Sequence, residues 1–116
     1  MSILNTLSNE IAQINLVRLL ERKAKNKDCC IYCGRKFEDS NLRTRKTRDH
    51  LIPKERFKGQ PPSFRQQFYQ FLTVWACSRC NYLKGNYSLT EFYEYIKRRG
   101  LPEKQLTHIK ELIKPS

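Results

Sequence analysis

Two Cys-x-x-Cys pairs, Cys30/Cys33 and Cys77/Cys80, are the residues of this chain best spaced to do chemistry. Two intervening residues let both thiolates of a pair reach one ion from a single turn, and two pairs complete a tetrahedral four-sulfur shell. Such a shell leaves no coordination position open, so one zinc per chain held there is structural and its binding energy becomes folding energy. The stretch between the pairs, residues 34–76, exceeds the spacer of a simple zinc ribbon, so a further unit is inserted between the two halves. Cys29 is left over as a bystander, either a core thiol or a partly exposed one. Four paired cysteines and one spare suit a metal site in a reducing compartment better than a disulfide framework.

A second set of residues lies around that unit. Asp49-His50 closes one strand, a second strand follows, and Asn81 comes directly after the fourth cysteine on a helix. Singly these residues say little, because a lone His is more often a core or surface residue and an Asn on a short helix is usually a cap. Together, RDHLIP followed by CSRCNYLKGN resembles the HNH endonuclease family, whose zinc-bearing members frame a catalytic ββα-metal unit with two C-x-x-C pairs. The resemblance spans residues 30–86, with both motifs in the family's order.

That resemblance implies a metal-dependent DNA endonuclease that hydrolyses phosphodiester bonds to a 5′-phosphate and a 3′-hydroxyl, nicking as a monomer. It implies Asp49 and Asn81 as ligands of one Mg²⁺ or other hard divalent cation, with Asn86 as an alternative second position, and His50 as the base that takes a proton from the attacking water. An imidazole near its ordinary pKa suits that task at neutral pH. Lys84-Gly85 match the family's K-G; Lys84 would bind a phosphate or cover the helix end. One position departs from the pattern. Many members place a middle Asn shortly before the third cysteine to pin the loop of the catalytic His, and here Leu72 and Thr73 stand there, with Thr73 or Gln70 as substitutes. Neighbours on a regular strand point to opposite faces, so the backbone is expected to bend at Asp49-His50.

The charge balance fits a nucleic-acid partner. There are 23 Lys and Arg against 11 Asp and Glu in 116 residues, a formal net charge of +12. Arg43, Arg45, Lys46, Arg48, Lys54, Arg56 and Lys58 cluster around His50, and with Lys84 they form the expected DNA contact surface. Ribosomal, membrane-surface and chaperone-like proteins share such a charge, so it decides little alone. A non-catalytic zinc module that binds nucleic acid explains the cysteines and the charge but leaves Asp49-His50 and Asn81 as coincidence. A protein-interaction zinc domain predicts no nucleic-acid affinity.

The elements that must position these groups read as a small α+β domain, 1–116, with a zinc-clamped, treble-clef-like ββα-metal core at 29–87, an N-terminal helix within 1–28 and C-terminal helices at 88–116. An amphipathic helix is expected over 3–24, with Ile3, Leu7, Ile11, Ile14, Val17 and Leu20 on its packing or dimerising face. CCIYCGRKF reads as a knuckle leading into a short strand, and FLTVWA, residues 71–76, as a buried strand. Between them a short helix carries Phe64 and Phe68, and Gly85 ends the helix that follows Cys77. Ser88-x-x-Glu91 is a capping box, Gly100 ends that helix, and Pro102 opens a last one with Leu106, Ile109, Leu112 and Ile113 inward. Tyr82, Tyr87, Phe92, Tyr93 and Tyr95 read as packing residues, and His108 as an ordinary helix residue. No apolar run is long enough for a bilayer and the N-terminus lacks signal-peptide features, so a cytoplasmic location is expected, as a monomer or a dimer through the N-terminal helix.

Overall fold

The computed structural model describes residues 9–100 and 103–115. Its centre is a two-stranded antiparallel ribbon, β1 (Lys46–His50) and β2 (Thr73–Cys77), with Lys46 opposite Cys77 and His50 opposite Thr73. Pairing runs on past both ends, from Leu51 N–H to Leu72 O (2.9 Å) and from Ser78 N–H to Arg45 O (2.9 Å). The strand period of two sorts the ribbon into faces. Asp49, Val74 and Ala76 are buried on one, while Lys46, Arg48, His50 and Trp75 share the other.

A lone two-stranded ribbon is marginal, and both of its edges carry unpaired backbone groups. Here both edges are covered. The helix α3 (Ser78–Lys84) runs along the free edge of β1, where Asn81 Nδ2 donates to Arg48 O (3.1 Å) and, one turn on, Lys84 Nζ donates to His50 O (2.8 Å). On β2, Asn26 acts as a short substitute strand. Its Oδ1 accepts from Trp75 N–H (2.8 Å) and its Nδ2 donates to Trp75 O (2.7 Å), which also accepts from Ile31 N–H (3.1 Å).

The remaining elements are α1 (Leu16–Lys23), a 3₁₀ turn at Lys54–Phe57, α2 (Pro62–Phe71), α4 (Leu89–Arg99) and α5 (Glu103–Glu111). The N-terminal segment departs from the expected single helix. Ile3 and Leu7 lie outside the described residues. Residues 9–12 are helical, but Ile14 then leaves the helix to form a bridge with Ile113, and Asn15 caps a new helix by accepting from Arg18 N–H. The restart shifts the helical phase. Leu19 becomes the buried residue of α1, while Val17 and Leu20 are 68% and 55% exposed.

Two strand boundaries also move. The knuckle is followed by a single bridge, Cys29 to Lys36, rather than a strand. Gly34 turns there with φ 76°, and a Cβ on it would stand 2.5 Å from His108 Nε2. Phe71 ends α2, so β2 begins at Thr73. The side chains of Phe64, Phe68 and Gln70 lie outside the described set, as does Pro102. The Ser88–Glu91 capping box is formed in both directions, Gly100 ends α4 in the left-handed region, and Ile109 and Leu112 are buried. Among the described residues no helix is long and apolar enough to cross a membrane.

Candidate functional site

The four expected cysteines converge. The Sγ atoms of Cys30, Cys33, Cys77 and Cys80 all lie within 4.8 Å of one another, with Cys33 and Cys77 at 3.9 Å. A tetrahedron of thiolates each ~2.3 Å from zinc has edges of about 3.8 Å, so the cage fits that ion with small adjustments. Backbone and side-chain donors support the sulfurs. Cys80 N–H points at Cys77 Sγ (3.4 Å), and Gln105 Nε2, brought in by α5, donates to Cys80 Sγ (3.3 Å). Cys29 is half-buried and stays outside the cage. Hydrogen bonding from Cys30, then Cys80, lowers the Cys33 thiol to about 7, and bonds from Cys30, Cys33 and Cys80 hold Cys77 lower still. The same mutual hydrogen bonds push the other two thiols up, Cys30 mainly through Cys33 and Cys80 mainly through Cys30.

The second set sits along the seam between β1 and α3. Asp49 is buried, and its Oδ2 accepts a hydrogen bond from Tyr32 Oη and pairs with Lys84 Nζ at 3.5 Å. Burial pushes the Tyr32 phenol up, helped by the Asp49 charge, so the phenol keeps its proton and donates it. Asn81 Nδ2 donates to Thr47 Oγ1 (3.0 Å) as well as to Arg48 O, and Thr47 Oγ1 in turn donates to Ala76 O (2.7 Å). That relay fixes which way the amide faces. With the nitrogen turned to β1, Oδ1 is the acceptor left to other partners.

His50 lies on the opposite face. The strand does not bend at Asp49-His50, because ladder pairing continues through His50 and Leu51. The two side chains therefore diverge, contrary to the expectation of a local bend. His50 Nδ1 is 3.1 Å from Thr73 Oγ1, directly across the ribbon. Of the two residues expected to stand in for the missing Asn, Thr73 contacts His50, while the Gln70 side chain lies outside the described set. Burial, then the Lys54 charge, lower the His50 pKa, with Asp49 opposing.

Lys84 departs from the expected phosphate-contact surface. Its side chain is 0% exposed, and its ammonium is engaged by His50 O and Asp49, so it does not stand at the surface as a phosphate contact. Burial pulls its pKa down and Asp49 pushes it back up. Arg56 is also engaged within the fold, bridging Glu10 (3.1 Å) and Glu91 (3.2 Å). Arg43, Arg45, Arg48, Lys54 and Lys58 are exposed, whereas Lys46 is half-buried. Lys46 Nζ and the Arg48 guanidinium lie 4.4 Å and 5.2 Å from the Trp75 ring centroid. Asn86 is exposed beyond the end of α3. Of the aromatic residues expected to pack, Phe92 is buried edge-on against Tyr32, but Tyr82 is 86% exposed.

Tyr32 and Thr47 were not legible as site residues. Thr47 had a signal, since it lies two positions before Asp49 and so on the same strand face. Tyr32 had only its place between two ligand cysteines. The chain was compared with family models, curated proteins and solved structures, and none matches. The functional reading therefore rests on this chain's own residues.

Proposed function

We propose that this chain is an HNH-type DNA endonuclease that needs a divalent cation and is held together by one structural zinc. The observation that carries the reading is the pair His50 Nδ1···Thr73 Oγ1 at 3.1 Å. With Nδ1–H donated to the hydroxyl, Nε2 carries the lone pair that takes a proton from water attacking phosphorus. The lowered pKa of His50 keeps the ring neutral and ready at neutral pH.

Asp49 and Asn81 would hold the cation through Oδ1 of each, because Oδ2 of Asp49 and Nδ2 of Asn81 are already engaged. A carboxylate and an amide oxygen form a hard donor set suited to Mg²⁺. When bound, such an ion stabilises the charge that develops on the phosphate and on the departing 3′ oxygen. The exposed Arg43, Arg45 and Arg48 supply phosphate contacts that set affinity without reading sequence.

One observation favours a second reading, a zinc module that binds nucleic acid without cutting it. Asp49 faces the core, paired with Lys84, while His50 faces away from it. Nicking of supercoiled plasmid separates the two. Cleavage should require Mg²⁺ or Mn²⁺, stop with EDTA and stop in His50→Ala. Retarded DNA in a gel-shift without any metal-dependent nicking would establish the second reading in its place.

A further inference from the structure

A cleft of about 210 Å³ opens onto the four-cysteine cage at the end of the ribbon away from His50, with Cys33, Cys77 and Cys80 forming its inner wall. Arg35, Arg43, Arg79 and Lys104 line it and no carboxylate does. Among the described residues, no carboxylate pairs with any of these four within 4 Å. Thr44 lies in the same wall, 7% exposed, and its buried Oγ1 has no hydrogen-bond partner. Its backbone is fully engaged by contrast: Thr44 N–H donates to Asn41 O (3.2 Å) and Thr44 O accepts from Glu38 N–H (3.2 Å). A buried hydroxyl without a partner is uncommon and calls for a missing one.

The walls are fixed by the fold. Arg79 N–H donates to Arg43 O (3.0 Å) and Ser78 N–H to Arg45 O (2.9 Å), which fastens the lead-in of β1 to the start of α3. Lys104 arrives on α5, whose next residue, Gln105, donates to Cys80 Sγ. Four separate segments, carrying Arg35, Arg43, Arg79 and Lys104, thus bring cations to one small volume. Four thiolates on a zinc ion carry two net negative charges, and four basic side chains outnumber them.

We propose that this cleft is a second phosphate site, which takes a backbone phosphate of the bound DNA through Arg43, Arg79 and Lys104, with Thr44 and its unpartnered hydroxyl in the wall behind them. The proposal rests on the DNA reading above. It places a contact at the zinc end of the ribbon, where Lys46 faces Cys77, while His50 faces Thr73 at the other end. Four residue steps at ~3.3 Å each separate the ends by about 13 Å. That is about four base-pair steps of rise along a duplex, so the cleft would set where the strand lies relative to the base.

The test reads affinity, not cleavage. Zinc-loaded wild type, Arg79→Gln/Lys104→Gln and Thr44→Val are titrated into a labelled short duplex over a range of salt. The double variant should weaken binding tenfold or more at low salt and flatten the slope of log K against log salt by about one to two units, because fewer phosphates are neutralised. Thr44→Val keeps the volume and deletes the orphan hydroxyl. It should unfold at the same or a higher temperature while binding several-fold more weakly, a combination that a purely structural role would not give. A parallel titration with inorganic phosphate, against chloride at equal ionic strength, should shift the amide resonances of Thr44, Arg79 and Lys104 in the wild type only. Saturation by inorganic phosphate with unchanged DNA binding in the variants would assign the cleft to a free phosphate and overturn the proposal. So would unchanged affinity and slope in both variants. Absence of any DNA affinity in the wild type would instead overturn the functional reading itself.

Discussion

Lys84→Met tests the reassignment of Lys84 most sharply. The wild-type ammonium is fully enclosed, with His50 O at 2.8 Å and Asp49 Oδ2 at 3.5 Å. Methionine keeps the length and removes both contacts. Asp49 then stays buried with Tyr32 as its donor, and the outer carbonyl of β1 loses its cap. Breaking a buried pair from one side costs about 3–5 kcal/mol. Asp49 retains the Tyr32 hydrogen bond and a side chain that is 9% exposed, so the lower end applies. A loss of about 3 kcal/mol lowers the melting temperature of a domain this size by roughly 10 °C. Unfolding followed by circular dichroism, at one fixed zinc concentration, measures it. The double variant Asp49→Asn/Lys84→Met should be more stable than the sum of the single losses allows, by about 1–3 kcal/mol, because the stranded charge is gone. DNA affinity, measured well below the transition, should stay within about twofold of wild type, since an enclosed ammonium touches no phosphate. A Lys84→Met protein as stable as wild type but with weaker, less salt-sensitive DNA binding would refute the reasoning and return Lys84 to the surface.

Three further outcomes are expected. The acid limb of the pH–rate profile should lie below pH 6.5, because burial and Lys54 depress the His50 pKa and the neutral ring is the active form; Lys54→Ala should move that limb upward. The sign for stability is the same, since a depressed histidine favours the fold above its unfolded pKa and that contribution is lost as pH falls toward the folded value. Metal analysis should give one zinc per chain, Cys33→Ser and Cys80→Ser should fail to fold, and Gln105→Leu should keep the fold while weakening zinc affinity about tenfold or more, as outer-sphere donors do. Thr73→Val should cut the cleavage rate about 10- to 100-fold with DNA affinity unchanged, whereas Thr73→Ser should preserve the rate; equal rates in both would mean that Thr73 does not orient His50.

The cysteine cage was legible because spacing alone dictates it, and the β-strand, β-strand, helix order followed from strand and cap signals on either side. What the sequence hid was direction. Lys84 sits in a strongly basic chain and reads as a surface cation; only the packing of α3 along the edge of β1 shows that its ammonium caps His50 O. The N-terminal helix looked continuous because Ile11, Ile14 and Val17 keep helical spacing. A tertiary bridge from Ile14 to Ile113 outweighs that local pattern, and no local signal announces it. The ion pairs of Arg56 were hidden for the same reason, since its partners Glu10 and Glu91 are far away in the chain. The Thr44 cleft assembles from four segments and has no sequence signature.

Tyr32 joins the two halves of the site. Cys30 and Cys33 fix both ends of the Ile31-Tyr32 dipeptide, and each of those residues then reaches a different strand. Ile31 N–H donates to Trp75 O on the edge of β2, and Tyr32 Oη donates to Asp49 on β1. The four-cysteine cage is therefore a clamp on the ribbon and also the anchor that holds a proton donor against the buried carboxylate. Packing alone would leave a two-stranded ribbon free to twist and slide, and a one-residue slip would turn Asp49 outward and His50 inward. Register here is pinned three times, by the cysteine knuckle at one end, by Asn26 on the edge of β2, and by Asn81 with Lys84 on the edge of β1. A polar clamp of this kind costs more to bury than an apolar one, and what it adds is a single register. The placement of Asp49 and His50 on their separate faces is the property that such a register protects.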